Sequence, residues 1–168
     1  MATVKTNAMR VLEKEGVAYQ VYSYESHGEA VDGVTVAALI SRPVENVYKT
    51  LVTQGASRAY FVFVIPVQNE LDVKKAAKIV GEKSLQMIPV NDINNVTGYV
   101  RGGCSPIGMK KQYPITLDAR AKRLDTLIVS AGKIGMQIEV NVSDLQKLTG
   151  LSMADVLRSG AFEQSGEK

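Results

Sequence analysis

The chain has 168 residues, of which 45% are hydrophobic, and carries a formal net charge of +3. This length and composition predict one domain with its own core and exclude disorder over most of the chain. No apolar run is long enough to span a membrane, and the polar N-terminus lacks a signal-peptide hydrophobic region. A cytoplasmic protein without a membrane partner is therefore expected. With one cysteine and one histidine, an internal disulfide and a Cys-rich zinc site are excluded, and neither a metal nor a cofactor is expected.

The first part of the chain carries patterns of both helices and strands. Helix starts are marked by the N-cap candidates Thr6 and Asp32 and by Asp72, and helix ends by Gly16 and Gly81. The strand segments are rich in β-branched and aromatic residues, and the most hydrophobic of them is expected to be central. We predict helices at residues 6–15, 34–40 and 71–80, and strands at 17–24, 47–53, 59–67 and 85–88.

The second part of the chain predicts an antiparallel pair of strands followed by helices. The pair is expected to be joined by a wide, glycine-bearing connection, and Ser143 opens a capping-box helix. The strands do not alternate strictly with helices, which argues against a doubly wound parallel sheet. We predict a helix at 91–96, a strand at 115–118, a basic turn or short helix at 119–124, strands at 126–129 and 136–140, helices at 143–148 and 152–158, and a flexible tail at 159–168.

Together these elements predict an α+β fold with a mixed, mainly antiparallel sheet of six or seven strands and flanking helices. No repeat, linker or low-complexity segment divides the chain, so residues 1–158 are expected to form a single domain.

Lys49 stands out because of its place in a predicted strand. Alternation puts it on the same face as Val47 and Leu51, and burial of an ammonium group is costly without a partner. One interpretation is a functional lysine directed into a site. The other is an edge strand from which the Lys49 side chain reaches water. The sequence pattern alone leaves both open.

Residues 98–111 form the second unusual stretch. They contain four of the fourteen glycines, the only cysteine and three cations. Adjacent glycines allow positive φ and close backbone approach, and successive N–H groups in such a turn can bind an anion. A plain surface loop with tight turns explains the same composition equally well. The wider segment 101–123 holds six cations and one carboxylate, which would attract a phosphate backbone if they share one face. A solvated face with counter-charges elsewhere is the alternative.

Nucleophilic catalysis by a protein side chain finds little support in the sequence. Cys104 and Ser105 follow two glycines, but the only histidine, His27, lies more than seventy residues away. A Cys–His pair made by folding stays open, although buried cysteines are more often inert. If the protein is an enzyme, positioning and backbone N–H donors are expected to carry most of the catalysis.

Several motifs, in their order and spacing, resemble those of the YbaK/EbsC family of free-standing aminoacyl-tRNA deacylases, related to the editing domain of prolyl-tRNA synthetase. The likeness extends over about residues 6–158 and implies a pseudo-barrel form of the predicted fold. The motifs that carry it are Tyr24, Val47-Tyr48-Lys49-Thr50-Leu51, Leu71-Asp72-Val73-Lys74-Lys75-Ala76, Thr97-Gly98-Tyr99-Val100-Arg101-Gly102-Gly103-Cys104-Ser105-Pro106-Ile107-Gly108 and Val129-Ser130-Ala131-Gly132-Lys133-Ile134-Gly135.

This resemblance implies hydrolysis of the ester between a mischarged amino acid and tRNA, with Cys-tRNA(Pro) as the usual substrate of the YbaK branch. There the substrate's own thiol is held to attack the ester and form a thiolactone. The tRNA is the implied partner, and a transient complex with prolyl-tRNA synthetase is expected. The resemblance makes Lys49 and Gly102 catalytic, and it implies substrate binding by Tyr24, Thr50, Gly103, Ser105, Pro106, Ser130 and Gln137. The basic segment adds a prediction of nucleic-acid binding by Arg101, Lys110 and Lys111.

Gln137 is a departure from the family pattern. Well-known members carry an aspartate after the hairpin glycine, whereas this chain has Gly135-Met136-Gln137. An amide can form hydrogen bonds but holds no negative charge, so strict preference for cysteine is in question. Two alternatives stay open: a deacylase for another small amino acid such as alanine on tRNA(Pro), and an inactive module that binds tRNA or a nucleotide.

Overall fold

The computed structural model describes residues 5–159 and contains five α-helices and eight strands in that range. All but one residue of the predicted flexible tail, 159–168, lie outside the described residues. The helices are α1 (Asn7–Lys14), α2 (Gly33–Leu39), α3 (Val73–Val80), α4 (Ile93–Thr97) and α5 (Val142–Thr149). The strands are β1 (Tyr19–Ser23), β2 (Tyr48–Gly55), β3 (Tyr60–Pro66), β4 (Leu85–Met87), β5 (Ile115–Asp118), β6 (Thr126–Lys133), β7 (Met136–Asn141) and β8 (Ser152–Ala154).

The strands form two sheets. One has three strands in the order β1-β7-β6, and the other has five in the order β4-β2-β3-β5-β8. Only the β3–β5 and β5–β8 pairs are parallel. The mixed, mainly antiparallel α+β class is thus confirmed. The expected single sheet of six or seven strands is corrected to two sheets, and these do not close into a barrel within residues 5–159.

The hydrophobic run at β3 makes it the central strand of the larger sheet. Residues Val62 to Ile65 have no exposed surface, because both faces of the strand are covered. Val62 and Val64 join the main core between the sheets, whereas Phe63 and Ile65 pack against α3 and the chain near residue 157. A strand buried on both faces reads as continuous hydrophobic sequence, which explains why β3 was predictable.

Most predicted helices are confirmed together with their caps. Thr6 caps α1 by accepting a hydrogen bond from the Met9 N–H, and Asp32 and Asp72 cap α2 and α3 in the same way. For α5, the cap is Asn141 rather than Ser143, since the Asn141 side chain accepts from the Asp144 N–H. No helix within the described range is both long enough and apolar enough to cross a membrane.

Two predictions about the second half were wrong. Residues 152–158 form no helix; Ser152–Ala154 are strand β8, because the parallel partner β5 offers them a free edge. The connection at 130–135 is also narrower than predicted. Strand β6 continues to Lys133 through a bulge after Ser130, so only Ile134 and Gly135 form the turn. The buried Ala131 shows that packing, not turn chemistry, governs this stretch.

Candidate active site

A cavity of about 630 Å³ lies where the two sheets diverge. Val47, the residue before β2, forms an isolated parallel bridge with Ile128 of β6. Beyond this bridge neither strand pairs with the other, so a cleft opens between them. Lys49 and Ser130 each lie two residues past the bridge, and both line the cavity. The sheet register therefore brings together two side chains that are eighty-one positions apart in the sequence.

Lys49 is half-buried in the wall of this cavity. It lies opposite Ile65 in the β2–β3 pair and forms no salt bridge among the described residues. Burial lowers the pKa of Lys49, and the charge of Glu70 only partly offsets this effect. A desolvated ammonium without a carboxylate partner interacts strongly with negative charge that a ligand brings or develops. Of the two interpretations of Lys49, the structure supports the one directed into a site.

Gly102 contributes main chain to the lining of the cavity. Its φ of +85° is a conformation that side chains rarely adopt, and an added Cβ would lie 2.7 Å from the Cβ of Ala30. Gly103 does not line the cavity; a Cβ there would come within 3.0 Å of the Ile134 nitrogen. The two glycines therefore let the 98–104 loop fit between the 26–31 loop and the β6–β7 turn.

The loop around Gly102 is fixed by hydrogen bonds among its own residues. The Tyr99 hydroxyl donates to the Ile107 carbonyl at 2.7 Å, and the Gly103 N–H donates to the Val100 carbonyl at 2.9 Å. Ser105 is fully buried, and its hydroxyl accepts from the Ile107 N–H at 3.2 Å. These bonds hold the Gly102 main chain in place before any ligand arrives, as preorganised catalysis requires.

The three-stranded sheet contributes Tyr24, Ser130 and Gln137 to the cavity. Ser130 and Gln137 are directly opposite each other in the β6–β7 pair. The Ser130 hydroxyl accepts from the Gly132 N–H at 3.1 Å, which leaves its own proton free to donate. Gln137 is buried, so this wall of the cavity is polar but uncharged.

The structure gathers seven of the twelve sequence-predicted residues in the cavity: Tyr24, Lys49, Thr50, Arg101, Gly102, Ser130 and Gln137. Five others do not line it. Gly103, Ser105 and Pro106 belong to the framework of the loop, and Lys110 and Lys111 lie beyond it, with the Lys110 ammonium donating to the Asn95 carbonyl. The roles of all twelve residues stay predictions.

Sequence reasoning missed the apolar part of the cavity lining. Met87 and Val90 are exposed large hydrophobics, and Ile93 of α4 lies beside them. The sequence feature that could have predicted this lining is the short strand at 85–88. It ends at Pro89 and leaves part of β2 without a neighbouring strand. Within residues 5–159, no group of three or more His, Cys, Asp or Glu side chains is placed to hold a metal ion.

Comparison with known proteins identifies the family of the chain. Residues 27–148 match the model of the aminoacyl-tRNA editing domain, and the chain belongs to that family. It is 43% identical to a protein of Enterococcus faecalis named provisionally as the Cys-tRNA(Pro)/Cys-tRNA(Cys) deacylase EbsC, over 90% of this chain and 93% of that protein.

Two further relatives are more distant. An uncharacterised protein of Bacillus subtilis, YwhH, is 24% identical over 77% of this chain and 80% of its own length. A crystal structure described provisionally as a trans-editing enzyme for prolyl-tRNA synthetase superposes with a TM-score of 0.80 at 25% identity, covering 94% of this chain and all of that one. The α+β class and the family implied by the sequence motifs are thereby confirmed.

Proposed function

We propose that the protein is a trans-editing deacylase that releases cysteine from mischarged Cys-tRNA(Pro). One observation carries the proposal: a desolvated Lys49, which forms no salt bridge within residues 5–159, and the preorganised main chain at Gly102 face a single cavity. The family match and the relative in Enterococcus faecalis support the choice of an aminoacyl ester as substrate.

The proposed reaction requires the protein only to position the substrate and to stabilise negative charge on the ester. The substrate thiol attacks the ester carbonyl carbon, the new C–S bond closes a thiolactone, and the C–O bond to the ribose breaks. The proton lost by the thiol ends on the ribose oxygen, which completes the release of tRNA. Main-chain N–H groups near Gly102 and the Lys49 ammonium stabilise the negative charge on the ester oxygens.

The side chains that line the cavity are consistent with a mechanism in which the substrate, and not the protein, supplies the nucleophile. Cys104 is the one cysteine that lines it, and burial raises the pKa of its thiol to about 11, so it is a poor nucleophile near neutral pH. Ser130 lacks a histidine in the cavity lining to act as its base. Attack by a group on the substrate itself removes the need for either.

Lys49 variants test the proposal. Purified protein is incubated with Cys-tRNA(Pro), and loss of the ester is measured above the spontaneous rate. Lys49→Ala should lower kcat/KM by roughly 100-fold or more, the scale of losing one group that stabilises an oxyanion. Lys74→Ala, an exposed lysine of α3, is the matched control and should leave activity unchanged. Absence of turnover on any charged tRNA, or full activity in Lys49→Ala, would overturn the proposal.

The pH profile gives a second readout from the same variants. The protonated form of Lys49 is the active one, and burial lowers its pKa. Activity should therefore fall as pH rises, with a midpoint below the ordinary lysine value of about 10.4. The residual activity of Lys49→Ala should not show this fall at high pH.

The amino acid removed is a separate question, raised by Gln137. A buried, uncharged amide supplies no carboxylate for the substrate amino group, which favours a second candidate: a deacylase for alanine or another small residue. Ser-tRNA(Pro) separates the mechanisms. If the substrate thiol is the nucleophile, the serine ester should resist cleavage, whereas an enzyme that activates water should accept small esters, including the alanine ester.

We further propose that the protein acts in the cytoplasm and selects tRNA(Pro) through a transient complex with prolyl-tRNA synthetase. The structural relative described as a trans-editing enzyme for that synthetase supports this partner. Added synthetase should increase the rate of Cys-tRNA(Pro) deacylation at dilute tRNA. An unchanged rate would leave the selection of tRNA to this chain alone.

A further inference from the structure

Strand β2 has a short free edge inside the cavity. Its partner β3 bonds to the odd-numbered residues of β2, as the bond from the Gly55 N–H to the Ala59 carbonyl shows. Antiparallel ladders alternate, so the main-chain groups of Thr50 and Val52 point to the opposite edge. There the Val52 carbonyl accepts from the Ile88 N–H. No described residue pairs with Thr50 on this side.

The free edge exists because β4 ends too early. The β2–β4 register pairs Thr53 with Met87, so a longer β4 would place Val90 opposite Thr50. Instead Pro89 turns the chain into a short 3-10 helix at Val90–Asp92. On its other side the edge is closed again by the bridge from Val47 to Ile128. The gap thus spans the position of Thr50, whose main-chain N–H and C=O have no partner on this edge among the described residues.

Two further features of this gap are typical of a ligand-binding site. The Thr50 hydroxyl is buried and has no hydrogen-bond partner among the described residues, although such groups are normally paired. The residues that flank the gap, Met87 and Val90, are 46% and 53% exposed while they line the cavity. A flat group with apolar faces and a polar edge would satisfy both features at once.

The size of the cavity agrees with an occupant larger than an amino acid. The cysteinyl group has six non-hydrogen atoms and would take roughly 180 Å³ at about 30 Å³ per atom, the share of a water molecule in the liquid. The cavity holds about 630 Å³. The ribose and the base of the last nucleotide can therefore enter with the ester, and Arg101 in the same lining suits the phosphate before them.

We propose that the gap at Thr50 binds the adenine base of the 3′-terminal nucleotide, with Met87 and Val90 against one face of the ring. Adenine presents a donor, N6, beside a ring-nitrogen acceptor, which complements the Thr50 C=O and N–H. The inference rests on the proposed function, because it takes the ester of a tRNA end as the ligand. It adds that the protein reads the terminal base itself.

The test uses cysteine esters of adenosine, of purine riboside, which lacks the N6 amine, and of methanol. Wild-type kcat/KM should fall roughly 3- to 10-fold from the adenosine to the purine riboside ester, the value of one hydrogen bond. The methyl ester, which has no base, should be slower still. Equal rates with and without N6 would overturn the inference.

Substitution of Met87 and Val90, the two apolar residues that flank the gap, tests the site from the side of the protein. Met87→Ser/Val90→Ser should lower the rate on the adenosine ester about 10-fold through lost apolar contact, and leave the methyl ester unaffected. The control Val73→Ser/Ile79→Ser changes two exposed residues of α3 outside the cavity and should affect neither ester. If Met87→Ser/Val90→Ser lowered the rate on both esters equally, the defect would be general and the adenine site would be overturned.

A binding measurement separates this inference from the proposed function. Adenosine 5′-monophosphate should shift the Thr50 amide resonance of the wild-type protein, and not that of Met87→Ser/Val90→Ser. If the esters are not cleaved but this shift occurs, the deacylase proposal fails and the adenine site stands. If the esters are cleaved without regard to the base and no shift occurs, the deacylase stands and the adenine site is overturned.

Discussion

Cys104 shows how the environment of a residue, rather than its type, decides its chemistry. It lines the candidate active site and is the only cysteine of the chain. Burial is the main cause that raises the pKa of its thiol to about 11, and a hydrogen bond with Thr97 acts weakly the other way. Near neutral pH the thiol is therefore protonated, and its partly buried side chain packs against the main core.

Replacement of Cys104 tests this assignment. Cys104→Ala should keep kcat/KM on Cys-tRNA(Pro) within about threefold of wild type, because a protonated, buried thiol contributes only packing. Iodoacetamide should alkylate the wild-type protein much more slowly than free cysteine at pH 7. A loss of several orders of magnitude in Cys104→Ala, with normal thermal stability, would instead identify the thiol as a nucleophile.

At the scale of elements, one buried carboxylate helps to hold the chain that follows the last strand. Asp118, at the end of β5, has no exposed surface. Its oxygens accept from the Arg120 N–H at 3.0 Å, from the Arg120 guanidinium at 3.2 Å and from the Val156 N–H at 3.3 Å. The last bond holds the chain after β8 in place and explains why residues 152–158 do not form the helix that their sequence predicted.

Asp118→Ala should therefore be strongly destabilising. It leaves the buried Val156 N–H without its partner and removes the buried half of an ion pair, at a cost of roughly 3 kcal/mol. Urea unfolding measures the loss. Asp155→Ala is the matched control, because the exposed Asp155 carboxylate pairs with the same Arg120 side chain and should cost less than about 1 kcal/mol. Similar losses in the two variants would contradict the structural role of Asp118.

The helices and strands also show which sequence signals were sufficient to predict secondary structure. Caps at Thr6, Asp32 and Asp72 act within one turn of helix, so local chemistry predicted the starts of α1, α2 and α3. Strand β8 and the second half of β6 depend on partners far along the chain, and no local pattern contains that information. Tertiary pairing overrode the helical pattern at 152–158.

At the scale of the whole molecule, the candidate active site lies where the two sheets separate. Lys49 and the glycine loop were visible in the sequence as unusual residues and as motifs of a known family. Their meeting in one cavity depends on the Val47–Ile128 bridge and on the fit of Gly102 against Ala30, which are properties of the complete fold. Pro89 marked where the strand at 85–88 ends, but the free edge of β2 also depends on the β2–β4 register, which no local pattern in the sequence contains.

The charge of the whole molecule bears on how tRNA is held. Of the six cations in segment 101–123, Arg120 alone forms an ion pair among the described residues, with Asp118 and Asp155. Arg101 lines the cavity, and the Cβ of Lys110 lies 3.7 Å from a Cβ built on Gly98 of the same loop. The cations near the loop pair with no carboxylate among the described residues, and we predict that they contact phosphates of a bound tRNA.

Charge reversal at this loop should weaken tRNA binding in a salt-dependent way. Lys110→Glu/Lys111→Glu should raise Kd for any tRNA about equally, because phosphate contacts carry no sequence information. It should also lower the slope of log K against log salt by about 1.5, the value for two lost phosphate contacts. Lys74→Glu/Lys78→Glu is the matched control, since it changes the charge by the same amount on the exposed face of α3. Filter binding between 50 and 200 mM salt measures both slopes. Equal slopes in the two variants would mean that tRNA responds only to net charge, and that the 98–111 loop has no direct contact with its backbone.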